Sequence, residues 1–115
     1  MFELLAIGNL GADPEMKYLA DGKEMTTFSV AVNTGKGDDR ITSWVNVTAF
    51  GKVAETIYTY AKKGTKMFVR GKPGVDDKGE PKKWTSKDGT PHATWYITLN
   101  NYSDFEFLSS KEGGE

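Results

Sequence analysis

The sequence predicts an all-β domain of five extended segments and one helix, in the order three strands, helix, two strands. Three observations predict it. Apolar and polar residues alternate with period two through residues 28–33, 44–50 and 66–72, as in strands with one face on a core. Val53, Ile57, Tyr60 and Ala61 recur at helical spacing. The chain has 115 residues, 37% of them apolar, enough for one core of ordinary size and no second domain.

The first strand, Phe2 to Leu10, is apolar on both sides, with Phe2, Leu4 and Ala6 on one and Leu5 and Ile7 on the other. A strand covered twice reads this way, so one face is expected against a partner subunit. Gly8-Asn9-Leu10-Gly11-Ala12-Asp13-Pro14 ends it, with glycines able to bend or bulge a strand and Asp-Pro favouring a turn. Tyr18 to Asp21 then turns through Asp21-Gly22 into the second strand, where Phe28, Val30 and Val32 face the core and alternate with Thr27, Ser29, Ala31 and Asn33. Residues 35–39 form a flexible turn before the third strand. There Val45, Val47 and Ala49 share the core face, which leaves Trp44, Asn46, Thr48 and Phe50 on the other as an aromatic platform. For a large aromatic pair taken alone, burial under another element or an oligomer contact is the commoner outcome.

The helix that follows caps the sheet with its apolar stripe, and Lys62-Lys63-Gly64 gives its end basic charge and a glycine stop. In the fourth strand Met67, Val69 and Gly71 face one way and Lys66, Phe68, Arg70 and Lys72 the other, one aromatic among three cations. Pro73 to His92 is a Gly- and Lys-rich excursion containing Lys82-Lys83-Trp84. It is far longer than the ~2 to 5 residues of an ordinary hairpin loop, so it is expected to be functional or mobile. Trp95 to Leu99 makes the last long strand, Tyr102 to Leu108 extends it, and residues 109–115 form a frayed end.

Composition narrows the chemistry. With no cysteine and one histidine, His92, the chain has no disulfides, thiolate zinc sites or cysteine nucleophiles, and most enzyme classes lose ground. A nuclease using Asp76, Asp77 and Glu80 on a metal ion would need its carboxylates on a rigid strand. These lie in a Gly- and Lys-rich loop, where a solvated acidic turn is the better reading. Gly71-Lys72-Pro73 is not part of a phosphate loop. No run approaches the ~18 apolar residues of a membrane span, and Met1-Phe2-Glu3 lacks the start of a signal peptide, so a cytoplasmic location and no membrane partner are expected. The net charge of -1 hides a segregation, because residues 62–87 carry 9 basic and 3 acidic side chains. Charges beyond a Debye length of ~8 Å are largely screened, so the local block decides whether a polyanion is attracted. Aromatics interleaved with cations suit single-stranded nucleic acid: bases stack on the rings while Lys and Arg accompany the phosphates.

Ile7-Gly8-Asn9-Leu10-Gly11, Asp13-Pro14-Glu15, Phe28-Ser29-Val30-Ala31, Phe50-Gly51-Lys52-Val53-Ala54-Glu55, Lys63-Gly64, Lys83-Trp84-Thr85 and Lys87-Asp88-Gly89 resemble, in order and spacing, the bacterial single-stranded DNA-binding proteins. The resemblance runs from about residue 4 to 99. It implies a five-stranded OB-fold Greek-key barrel, with one helix between the third and fourth strands and a long hairpin between the fourth and fifth. On this reading residues 1–108 are the binding domain and 109–115 a flexible end. The resemblance also implies sequence-independent binding and protection of single-stranded DNA during replication, recombination and repair, without catalysis or cofactor. It implies a homotetramer, with a dimer as the lesser form, paired through the first strand. The expected location is the cytoplasm, with the nucleoid, or the host cytoplasm for a phage-encoded chain.

Carried over position by position, Trp44 and Phe50 match the family's stacking aromatics on the third strand, Trp84 the stacking tryptophan on the long hairpin, and Phe68 a fourth-strand position that is often aromatic. Lys52, Lys62, Lys66, Arg70, Lys72, Lys82, Lys83 and Lys87 are the phosphate candidates. Three departures bear on function. Thr34-Gly35 stands where many members carry another tryptophan, which removes one platform. The sequence stops at Glu112-Gly113-Gly114-Glu115 without the acidic, apolar-tipped tail by which members recruit replication and repair proteins. Trp95 replaces a small polar residue and is expected to pack against the core or a neighbouring subunit. The missing tail and low charge leave an alternative, an OB-fold interaction module of a primosome-like replication assembly that binds nucleic acid weakly. Aromatics at all three stacking positions argue against it.

Overall fold

The computed structural model describes residues 1–108, the side chain of His92 excepted; the expected flexible end, 109–115, lies outside the described residues. The elements are β1 (Leu4–Leu10), β2 (Glu15–Tyr18), β3 (Glu24–Thr34), β4 (Ile41–Phe50), α1 (Gly51–Tyr60), β5 (Lys66–Pro73), β6 (Lys83–Thr85), β7 (Pro91–Ala93), β8 (Trp95–Leu99) and β9 (Phe105–Phe107). The five predicted strands are β1, β3, β4, β5 and β8. They close a barrel in the order β1-β3-β4-β8-β5 and back to β1. Every pairing around it is antiparallel except β4–β8, which runs parallel from Val45↔Trp95 to Ala49↔Leu99. This is the expected OB barrel, with α1 between its third and fourth strands.

Register follows the apolar alternation. Phe28 lies opposite Val47 and Val30 opposite Val45, so both strands turn the same face inward. At one end α1 closes the barrel by burying Val53, Ala54 and Ile57. Thr26 is the buried polar residue of the core, and its hydroxyl donates to the Ala54 carbonyl at 2.8 Å, which removes most of the cost of burying it. Gly8 sits where β1 leaves β5 and meets β3; a Cβ there would run into the Ala31 carbonyl, so only glycine allows the two backbones to approach.

Several expectations are corrected. β1 starts at Leu4, leaving Phe2 exposed beyond it. Its second apolar face is present, with Leu5 62% and Ile7 51% exposed. The turn at 35–39 contains a short 3₁₀ segment, Gly37–Asp39. α1 ends at Tyr60, because Ala61 is already extended, and Gly64 (φ 91°) instead shapes the turn in which the Thr65 N–H donates to the Lys62 carbonyl. Residues 102–108 do not extend β8. A 3₁₀ turn at Tyr102–Asp104, closed by the Asp104 carboxylate accepting the Asn100 and Asn101 N–H groups, redirects the chain so that β9 pairs with β5. Trp95 has the inward phase of Ile97 and Leu99, but it stands at the barrel end away from α1 and remains 49% exposed. It borders an apolar groove with Leu4, Val32 and Ile97 rather than entering the core, which leaves a neighbouring subunit as the other expected contact. Among the described residues no helix is long and apolar enough to cross a membrane.

Thr26→Val keeps the shape and removes the donor, so unfolding in urea should show a loss of about 0.5 to 1.5 kcal/mol. Ile57→Ala empties the barrel plug and should cost more, about 2 to 5 kcal/mol.

Candidate nucleic-acid interface

With Val45, Val47 and Ala49 buried, β4 presents Trp44, Asn46, Thr48 and Phe50 outward, as expected. Trp44 is 51% exposed. Its indole lies against Gly11, where a Cβ would sit 2.6 Å from Trp44 Cζ3, so the glycine after β1 makes room for the ring. Beside the indole runs a groove of about 530 Å³. Polar side chains meet along it, among apolar ones: Ser29 Oγ donates to Asn46 Oδ1 at 2.9 Å, and Thr27 lies opposite Thr48. Tyr96, whose register partner is Asn46, lines it from β8, while Asp13 and Glu15 line it near Gly11.

Phe50 closes the row, roughly 20 Å from Trp44 at the usual strand rise. Lys23 places Nζ 5.7 Å from the centroid of the Phe50 ring. Lys52 is exposed on the first turn of α1. It adds to a set of interactions that hold the nearby Glu24 carboxyl below the usual range, first a hydrogen bond with the Glu55 side chain and then one from the Glu24 backbone N–H.

The excursion after β5 is an arm with its own hydrogen bonds. Its first turn is locked by the Asp76 carboxylate, which accepts the N–H groups of Glu80 (3.0 Å) and Lys78 (2.9 Å); these bonds, that from Glu80 foremost, lower its pKa. Asp76 is thus a turn lock, and among the described residues no three His, Asp or Glu side chains cluster to hold a metal ion. β6 and β7 then pair as a separate two-stranded sheet, Lys83↔Ala93 to Thr85↔Pro91, with Trp84 52% exposed. At its tip, near Lys87, Asp88 accepts the Ser86 hydroxyl and the Thr90 N–H, and these bonds, Ser86 first, lower its pKa to about 2. Lys83 pairs with Glu80 at 3.4 Å. Lys82 instead reaches back to the barrel, its Nζ 5.6 Å from the Tyr96 ring centroid.

The fourth-strand cations are placed elsewhere. Lys66, Phe68, Arg70 and Lys72 alternate outward on β5 as expected, but β5 does not pair with β4. Phe68 lies between Ile7 of β1 and Glu106 of β9. Arg70 is engaged within the chain, with Nε 3.9 Å from Glu3 and Nη2 donating to the Ser103 carbonyl at 3.1 Å. Lys62 is exposed after α1, beside a shallow depression shared with Asp13 and Pro14. The structure therefore brings Trp44 to the groove, Lys82 to the Tyr96 ring, Trp84, Lys83 and Lys87 to the arm, and Phe50 and Lys52 to the end of β4. Phe68, Lys66 and Arg70 do not join them, whereas Lys72, opposite Thr98 and through it in line with Thr48 of β4, stands on the same outer face two strands from the row. The sequence reading places neither Lys23 nor Tyr96 at this face, and takes Gly11 only as a glycine at the end of the first strand. Tyr96 had a signal, since Ile97 and Leu99 facing inward puts Tyr96 outward with Asn46; the contacts of Gly11 and Lys23 are tertiary and had none.

A closed five-stranded barrel with exposed rings beside an outer groove is the architecture of an OB-fold binding protein. The profile of the single-strand binding protein family matches residues 1–107, and the chain belongs to that family, whose members are non-enzymatic DNA-binding proteins. The chain is similar to Single-stranded DNA-binding protein 1 of Xylella fastidiosa (strain 9a5c), 36% identical over 113 residues that span 92% of this chain and 76% of that protein. Among solved structures it is similar to the Plasmodium falciparum SSB complex with ssDNA, at a TM-score of 0.71 and 25% identity, covering 95% of this chain and 96% of that one.

Two outcomes are expected. Because the Asp88 pKa falls from an ordinary ~3.9 to about 2, the carboxylate's contribution to the arm tip is complete above pH ~4 and lost as pH falls through about 2; carboxyl NMR shifts of Asp88 followed against pH check this. Gly11→Ala should leave stability within ~0.5 kcal/mol, since only an exposed ring end must move, yet it should shift tryptophan emission, and the shift should vanish in a Trp44→Phe background.

Proposed function

We propose that this protein coats single-stranded DNA without sequence preference, stacking bases on Trp44, Phe50 and Trp84 and neutralising phosphates with exposed lysines. The observation that carries the reading is the half-exposed Trp44 indole, set by its strand's register beside a groove on the outside of a closed barrel. Stacking is indifferent to base identity because every base has a π-face, and lysines follow the backbone without reading it. Such a protein protects exposed strands in replication, recombination and repair. It also melts hairpins without ATP, because a ligand that binds only the unpaired form shifts the equilibrium by mass action. The exposed Leu5 and Ile7 support pairing of subunits through β1 into the expected tetramer.

The test is a titration with oligo(dT), followed by tryptophan fluorescence at two salt concentrations, with duplex DNA of equal length as control. Quenching by single strands and little by duplex is expected. Absence of quenching in a folded protein would move the reading to a protein-interaction barrel. Trp44→Ala and Trp84→Ala should each weaken binding by ~1 to 3 kcal/mol, a range drawn from single-strand binders of this class rather than from this chain. Lys87→Ala should flatten the plot of log affinity against log salt by ~0.7, the equivalent of one lost phosphate contact. Arg70→Ala should leave that slope unchanged, since its guanidinium is held by Glu3 and the Ser103 carbonyl.

A further inference from the structure

The groove beside Trp44 has a second aromatic wall. We propose that Trp44, Tyr96 and Lys82 together seat one nucleotide, with the base entering between the two rings and its phosphate held by Lys82. The inference rests on the single-strand reading and adds to it a residue, Tyr96, and an orientation for the strand.

Tyr96 is the parallel partner of Asn46, two residues along β4 from Trp44. A strand spacing of ~4.8 Å and a rise of ~3.3 Å per residue put the two ring-bearing Cα atoms about 8 Å apart on one outer face. Both side chains line the same groove, whose volume of about 530 Å³ lies within the ~300 to 1,000 Å³ of small-ligand sites. Each ring is backed by a glycine: Trp44 lies on Gly11, and a Cβ at Gly74 would sit 2.8 Å from Tyr96 Cβ. Gly74 also donates its N–H to the Tyr96 carbonyl at 3.0 Å, which ties the base of the arm to this strand.

Charge fixes the direction. Asp13 and Glu15 line the groove on the side of Gly11, where a phosphate would be repelled. Lys82, outside the groove's lining, stands 5.6 Å from the centroid of the Tyr96 ring that walls it. Unlike Lys83, which pairs with Glu80, Lys82 has no carboxylate partner among the described residues. Its charge is held in place by a neutral ring and is available to a phosphate oxygen. The base therefore points toward Trp44 and the backbone runs along the Tyr96 side, at the root of the arm that carries Trp84.

The test measures binding of fluorescein-labelled oligo(dT) to the full chain by anisotropy across a salt series. Tyr96→Leu, which keeps apolar bulk and loses the ring, should bind on the order of ten-fold more weakly, and Tyr96→Phe should restore most of that loss. Lys82→Gln should reduce the salt slope by ~0.7. The double variant should lose less than the product of the two single losses, because Tyr96→Leu already releases the lysine. A folded Tyr96→Leu within two-fold of wild type, or an unaltered slope in Lys82→Gln, overturns the inference. Should Tyr96→Leu fail to fold, ring resonances of wild-type protein labelled at tyrosine decide: a shift of the Tyr96 signals on adding oligo(dT) supports the seat, and unmoved signals overturn it. Wild type that does not bind oligo(dT) removes the single-strand reading itself. Wild type that binds, with Trp44→Ala weakened and Tyr96→Leu neutral, removes only the second wall.

Discussion

The register of β4 is the constraint on which the rest of the molecule depends. Side chains along a strand alternate, so a slip of one residue would bring Trp44, Asn46, Thr48 and Phe50 into the barrel and push Val45, Val47 and Ala49 out. The core forbids it: the two valines are worth about 1.5 to 3 kcal/mol each when buried, and their places opposite Phe28 and Val30 leave no volume for an indole. The outward face is thus determined from the inside. The same ladder positions β8, since the parallel pairing of Asn46 with Tyr96 follows from the pairing of Val47 with Ile97. An interface assembled this way needs no dedicated scaffold, because the packing that stabilises the barrel also orients its rings.

Two exposed tryptophans of the candidate interface, Trp44 and Trp84, are held by different means. Trp44 belongs to a strand paired on both edges, whereas Trp84 belongs to a two-stranded ladder separate from the main sheet. The connection between them runs through a few contacts at the root of the arm: the Gly74 N–H to the Tyr96 carbonyl, and Lys82 over the Tyr96 ring. Local openings favour segments with few buried contacts, so the arm is the part of this interface that can adjust to a strand while the barrel face stays fixed.

Much of this was legible in the sequence, for an identifiable reason. Long strands with one buried face write their phase into the chain, so the inward Phe28, Val30, Val45, Val47, Met67 and Val69 were all readable, and with them the outward Trp44 and Phe50. Short strands do not. β2, β6, β7 and β9 span three or four residues each, too few to show a phase; β2 and the β6–β7 pair are local ladders, and β9 is a strand only because Phe105 meets the distant Val69. The outward phase of Phe68 and Arg70 was also correct, yet phase says nothing about where around a barrel a face lies. Only the strand order shows that β8 separates β5 from β4. Gly11 illustrates the other limit: it was legible as a strand ender, but its contact with Trp44 exists only after the barrel has closed.

The arm's independence of the barrel has an evolutionary consequence. Because its ladder and turns satisfy their own hydrogen bonds and none of its described side chains belongs to the core cluster, residues can be inserted or removed between Val75 and Ala93 without disturbing the packed interior. Doubling such a loop costs only about 0.6 kcal/mol of closure entropy. Descendants of this chain can therefore vary how far the protein extends over its ligand while inheriting the barrel unchanged, and divergence in reach is expected to accumulate here first.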